Sequence, residues 1–207
     1  MSKLLAGEVP IDRFVRRNAY AFSRDLIKEP VLTFVAPDLL AYFPAAKSIF
    51  VVRDPWHNIR SILNRLRTPG DLKAFDGLSE ELQDPTWDAI IRGRDLGLDG
   101  RHYIEVLAMR WCRGVDVFLD DPASYVLCRY EDFCDDKIGQ VDRLASAVGW
   151  TPTSDITDSL DTDFQPRGRR GTDPREFFGP NFGVIESICA SRVTTLGYRT
   201  PADRVEG

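Results

Sequence analysis

The run Lys47-Ser-Ile-Phe-Val-Val52, together with the turn and helix signals directly after it, constrains this chain most. The run is too short for a buried helix and is rich in β-branched and aromatic side chains, so residues 48–52 are expected to form a central parallel strand. It stops at Arg53, where Asp54 can cap and Pro55 can open a helix to about residue 67. Ile59, Ile62, Leu63 and Leu66 would form its buried face. A strand, a tight turn and a helix in this order set a cation at the strand's carboxyl end, beside free helix N–H groups.

The rest of the chain alternates in the same manner. Residues 11–27 carry apolar side chains at three- and four-residue steps and predict an amphipathic helix. A second helix is expected from about Pro37-Asp38 to Phe43-Pro44. Residues 68–101, rich in Gly, Pro and Asp, read as an insertion carried on the surface, with a short helix at 85–94. A stronger helix is predicted over 101–119, a second buried strand at Ser124-Tyr-Val-Leu-Cys-Arg129, a helix over 137–148 and a last one over 181–196. The fold class implied is α/β, a parallel sheet flanked by helices, in a single domain over 1–207.

Composition narrows the function classes. The 27 Lys and Arg against 32 Asp and Glu give a net charge of -5, so bulk electrostatics do not ask for nucleic acid or an anionic membrane, and any anion site must be local. Cys112, Cys128, Cys134 and Cys189 lack paired spacing and are expected to be free thiols. No apolar run has the length of a signal peptide or a bilayer span, so a cytoplasmic protein is expected. With His57 and His102 far apart and no other ligand cluster, no metal is expected. The acceptor and the oligomeric state are not readable.

The segment Ile49 to Ser61 is suited to phosphate: Arg53 can grip two oxygens and Ser61, further along the helix, can donate to a third. A surface Arg-Asp pair with Ser61 facing solvent fits the same residues. Val51-Val-Arg-Asp-Pro, five residues and then Ser61 resembles the 3′-phosphate-binding motif of the sulfotransferase family. The resemblance implies that Arg53 and Ser61 hold the 3′-phosphate of the donor substrate, 3′-phosphoadenosine 5′-phosphosulfate, within a P-loop-NTPase-like architecture. Arg129-Tyr-Glu-Asp-Phe resembles the family's Tyr-Glu-Asp segment and implies that Tyr130 faces the adenine, the alternative being a core tyrosine. Arg169-Arg170-Gly171 resembles its late basic loop over the same phosphate, with Arg167-Gly168 as a competing register.

Leu26-Ile-Lys28-Glu-Pro30 resembles the family's Lys-x-Pro segment and implies that Lys28 approaches the sulfuryl group, against an exposed lysine ending a helix. His102 and Glu29 are candidate bases by type, while His57 reads as a residue of the first helical turn. The family's first strand and its glycine- or serine-rich phosphosulfate turn find no counterpart before Lys28, so the architecture is expected to be N-terminally incomplete. A fragment, a partner-supplied loop or a degenerate relative would each account for this, in that order. The activity implied is sulfuryl transfer to a hydroxyl or amine acceptor; a non-catalytic nucleotide-binding relative is the alternative. A nucleotide kinase is disfavoured, because the chain has no G-x-x-x-x-G-K-[ST] loop.

Overall fold

The computed structural model describes residues 2–74, 82, 84–151, 153–160 and 173–198. In chain order the elements are α1 (Ser2–Leu5), α2 (Ile11–Arg17), α3 (Ala19–Phe22), a 3-10 turn (Pro30–Val35), α4 (Ala36–Tyr42), β1 (Ser48–Val52), α5 (Pro55–Arg65), α6 (Pro85–Ile91) and α7 (Tyr103–Asp120). Beyond α7 come β2 (Tyr125–Arg129), α8 (Tyr130–Asp135), α9 (Lys137–Val148), α10 (Pro174–Phe178) and α11 (Phe182–Thr195), with short 3-10 turns between. The protein is thus mixed α/β and mostly helical. Among the described residues no helix is long and apolar enough to cross a membrane.

β1 and β2 pair in parallel, from Ser48 against Tyr125 to Val52 against Arg129. Side chains alternate across a strand, and helices cover only one face of β1. Phe50 and Val52 are buried, Phe50 stacking on Phe118 of α7 at 5.1 Å, whereas Val51 is 62% exposed. β1 is therefore open on the face that carries Val51, although Cys128 of β2, its partner on that face, is 2% exposed. With two strands among the described residues, β1 is an edge and not the expected central strand.

The core lies where α5, α7 and α11 meet beneath that covered face. Ile59 and Leu63 of α5, Tyr103, Ile104 and Leu107 of α7, and Ile185, Cys189 and Val193 of α11 are almost wholly buried. Each set recurs at three- and four-residue steps, so each helix turns one apolar stripe inward. Arg192 of α11 grips Asp116 of α7 through two bonds of 2.9 Å across the seam. The four cysteines are free thiols.

Three expectations need adjusting. The first helix breaks at Asn18, whose side-chain Nδ2 donates to the Phe14 carbonyl at 2.8 Å, competing with the backbone as short amides do. Parts of 68–101 pack inward instead of riding on the surface: Thr68 and Ile91 are buried, and Gly70 lies so close to Phe177 that a Cβ would sit 2.6 Å from its ring. The segment after β2 turns at once into α8, ahead of the expected helix at 137–148, which forms as α9.

Candidate functional site at the carboxyl end of the parallel strands

Because Val52 stands opposite Arg129, the next residues along the two strands, Arg53 and Tyr130, become neighbours. The Arg53 guanidinium carbon lies 4.7 Å from the centroid of the Tyr130 ring, a cation-π arrangement. The Trp111 indole N–H donates to the Arg53 carbonyl at 2.9 Å and fixes its backbone from α7. Arg53 Nε is buried and has no hydrogen-bond partner among the described residues. A buried donor without a partner costs free energy until an acceptor arrives.

Asp54 starts α5. Its Oδ1 accepts the His57 N–H at 3.0 Å, and its Oδ2 lies 2.5 Å from His57 Nδ1. The Asp54 side chain is 3% exposed and that of His57 25% exposed. Burial pushes the Asp54 carboxyl up, but the bond and charge of His57, helped by the His57 backbone N–H, more than offset it and hold the group below the ordinary aspartate range. Glu131 of α8 meets this turn: its Oε1 accepts the Asp54 N–H at 3.1 Å, and its Oε2 accepts from the Tyr198 hydroxyl at 2.8 Å. Burial, then the bond to Glu131, pushes the Tyr198 phenol up.

Arg60 belongs to the same patch. Burial, then the positive charge of Arg53, holds its guanidinium below the ordinary arginine range, against the pull of Asp54. Two cations near enough to feel one another thus stand at the carboxyl end of a parallel strand and the start of a helix, beside the carboxylates of Asp54 and Glu131.

The sequence-predicted residues are only partly brought together. Arg53 and Tyr130 touch; Ser61 is exposed on the second turn of α5, ~9 Å along the helix axis from Pro55. Lys28 is exposed in the link after α3, with no hydrogen bond or ion pair among the described residues. His102 caps α7: its Nδ1 accepts the Ile104 N–H at 3.2 Å and its Nε2 lies 2.8 Å from the Leu72 carbonyl. Both ring nitrogens are thus engaged. Glu29 caps the turn at Pro30, its carboxylate accepting from the Val31 N–H at 3.3 Å. Arg169, Arg170 and Gly171 lie outside the described residues.

Arg60, Glu131 and the Asp54–His57 pair were not singled out from sequence. Helical spacing gives the neighbourhood of His57, Arg60 and Ser61, but the contact of Glu131 with Asp54 depends on strand register.

A cleft of about 950 Å³ opens at the other end of the sheet, lined by Phe34, Leu40, Lys47, Arg113 and the first residues of the strands, Ser48 and Tyr125. It lies away from Arg53. Among the described residues no group of three or more His, Cys, Asp or Glu could hold a metal ion. No family model, curated protein or solved structure matches the chain.

Proposed function

We propose that the chain binds the 3′-phosphoadenosine end of 3′-phosphoadenosine 5′-phosphosulfate at Arg53, Ser61 and Tyr130, and that it is a sulfotransferase of P-loop-NTPase-like ancestry acting on a hydroxyl or amine acceptor. The observation that carries the reading is the Arg53 guanidinium, laid on the Tyr130 ring with Nε buried and unpartnered. A phosphate oxygen would satisfy Nε in a charge-assisted bond once the guanidinium shifts on the Tyr130 ring, and Tyr130, 40% exposed, then offers ring surface on which a purine can stack. Arg60 adds positive potential at the same place.

In the transfer itself the acceptor oxygen or nitrogen forms a bond to sulfur while the bridging S–O bond breaks, the acceptor loses its proton, and adenosine 3′,5′-bisphosphate leaves. Such a step depends on in-line positioning and on stabilising charge at the leaving oxygen. Lys28 is the proposed source of that charge and His102 the proposed base. For His102 this role requires release of one of its two present hydrogen bonds.

That engagement favours a second reading, a nucleotide-binding protein without turnover. Here Arg53 and Tyr130 keep their roles while Lys28 and His102 have none in catalysis.

Calorimetric titration with adenosine 3′,5′-bisphosphate tests the site. Micromolar or tighter binding, lost with adenosine 5′-monophosphate, is expected. Arg53→Ala should weaken it by about 1.5 to 3 kcal/mol with the fold intact. Unchanged affinity in the variant removes Arg53 from the site, and equal affinity for the two nucleotides removes the 3′-phosphate. Sulfate transfer from the labelled donor to a panel of acceptors then separates the two readings.

A further inference from the structure

His57 lies between the residues assigned to the phosphate. On α5 it is one turn before Ser61 and three residues before Arg60, so the three side chains leave one face of the helix as neighbours. Arg53 approaches that face from the end of β1, near enough to depress Arg60. An anion that reaches from Arg53 to Ser61 therefore passes over His57.

Asp54 decides what His57 can offer. With Oδ2 at 2.5 Å from Nδ1, the carboxylate accepts the hydrogen bond of an Nδ1–H, and Nε2, on the far side of the ring, faces away from it. In the neutral ring Nε2 is then a lone pair, which repels a phosphate oxygen. In the protonated ring it is a donor, and the added charge is compensated by the buried carboxylate.

We infer that His57 is a third contact to the anion held by Arg53 and Ser61, made through Nε2 only when the imidazole is protonated, so that nucleotide binding is gated by pH. This rests on the nucleotide reading above. The charged and titratable groups around the ring are Asp54 and Arg53 from the β1–α5 turn, Arg60 on its own helix and Glu131 from α8. Tyr198 reaches Glu131 from beyond α11, and Arg175 of α10 lies over Phe182, which stacks on the adjoining Trp56. A contact that only the protonated ring can make requires, by linkage, that binding of the anion be accompanied by proton uptake.

The test is calorimetric titration of the full chain with adenosine 3′,5′-bisphosphate at about pH 6 and about pH 8, on either side of histidine's usual range, for the wild type and His57→Gln. The nucleotide's own phosphates lose charge near ~pH 6, which weakens binding at the acid end in both proteins, so the variant supplies the baseline. The helix cap uses the His57 backbone N–H as well as its ring, and thermal melts of His57→Gln and His57→Asn check the fold.

Relative to that baseline the wild type should gain roughly tenfold in affinity at the lower pH, the worth of one hydrogen bond to a charged partner. Repeating the titration near neutrality in buffers of different ionisation enthalpy should show proton uptake that His57→Gln lacks. Matching pH profiles and equal proton uptake in the two proteins overturn the role of His57 while leaving the nucleotide site standing. Absence of nucleotide binding by the wild type at both pH values overturns the nucleotide reading and, with it, this inference.

Discussion

Glu131 accepts the backbone N–H of Asp54 at 3.1 Å, tying together two turns that are 77 residues apart in the chain. One carboxylate oxygen holds the turn after β1 and the other holds Tyr198, whose hydroxyl also lies 3.2 Å from the Val52 carbonyl. Arg129 adds a second fastening, with Nη1 donating to the Gly197 carbonyl at 3.2 Å and Nε to Asp132 at 2.8 Å. The strand ends, the start of α5 and the exit from α11 are therefore set by one connected polar group. Arg53 and His57 inherit their positions from it.

Glu131→Ala should destabilise the protein by about 1 to 3 kcal/mol, because the Asp54 N–H and the Tyr198 hydroxyl lose an acceptor together. Urea denaturation followed by circular dichroism gives the number. The variant should also loosen the Arg53 turn and so weaken nucleotide binding, although residue 131 is not among the residues assigned to the ligand. Wild-type stability in the variant would mean that the network does not hold the turn.

Asp54 gives a pH signature with a defined sign. Its folded-state pKa is depressed, so between the ordinary aspartate range and that lower value the unfolded chain binds more protons than the folded one. Its contribution is complete above about pH 5 and is lost as the pH falls through the folded value. Below about pH 5 the stability gap between wild type and Asp54→Asn, measured by denaturation at several pH values, should shrink as the pH falls toward the folded value. A gap that grows toward low pH contradicts the assignment.

Local chemistry made part of this structure readable and register hid the rest. β1 is legible because Ile49, Phe50, Val51 and Val52 have little alternative to a strand, and α9 because Asp136 and Gly149 mark its ends. The five residues of α10 offer too short a pattern, though Asp173, whose carboxylate accepts the Arg175 N–H at 2.8 Å, together with Pro174 next to it, is a start signal in the sequence. Nothing local says that Val51 faces outward, since exposure depends on where the helices pack. The resemblance puts Arg53 and Tyr130 on one nucleotide, whereas their contact in the fold comes from Val52 standing opposite Arg129. Glu131, equally close in the fold, carries no sequence pattern that points to Asp54.

The ion pair between Arg110 and Asp95 supplies a separate test of how the segment before α7 is held. Arg110 Nη1 lies 2.6 Å from Asp95 Oδ2, with the side chains 10% and 6% exposed. The guanidinium also sits 4.7 Å from the Phe34 ring centroid, and Asp95 Oδ1 is buried without a hydrogen-bond partner among the described residues. A buried pair with one oxygen unsatisfied recovers little of its desolvation cost, yet removing a single partner strands the other charge. Asp95→Ala should therefore cost about 3 to 5 kcal/mol, while the double change Asp95→Leu with Arg110→Met should restore most of it. Chemical denaturation of the single and double variants reads both values. A double variant as unstable as the single one would show that the pair's geometry, and not its charge balance, holds this loop against α7.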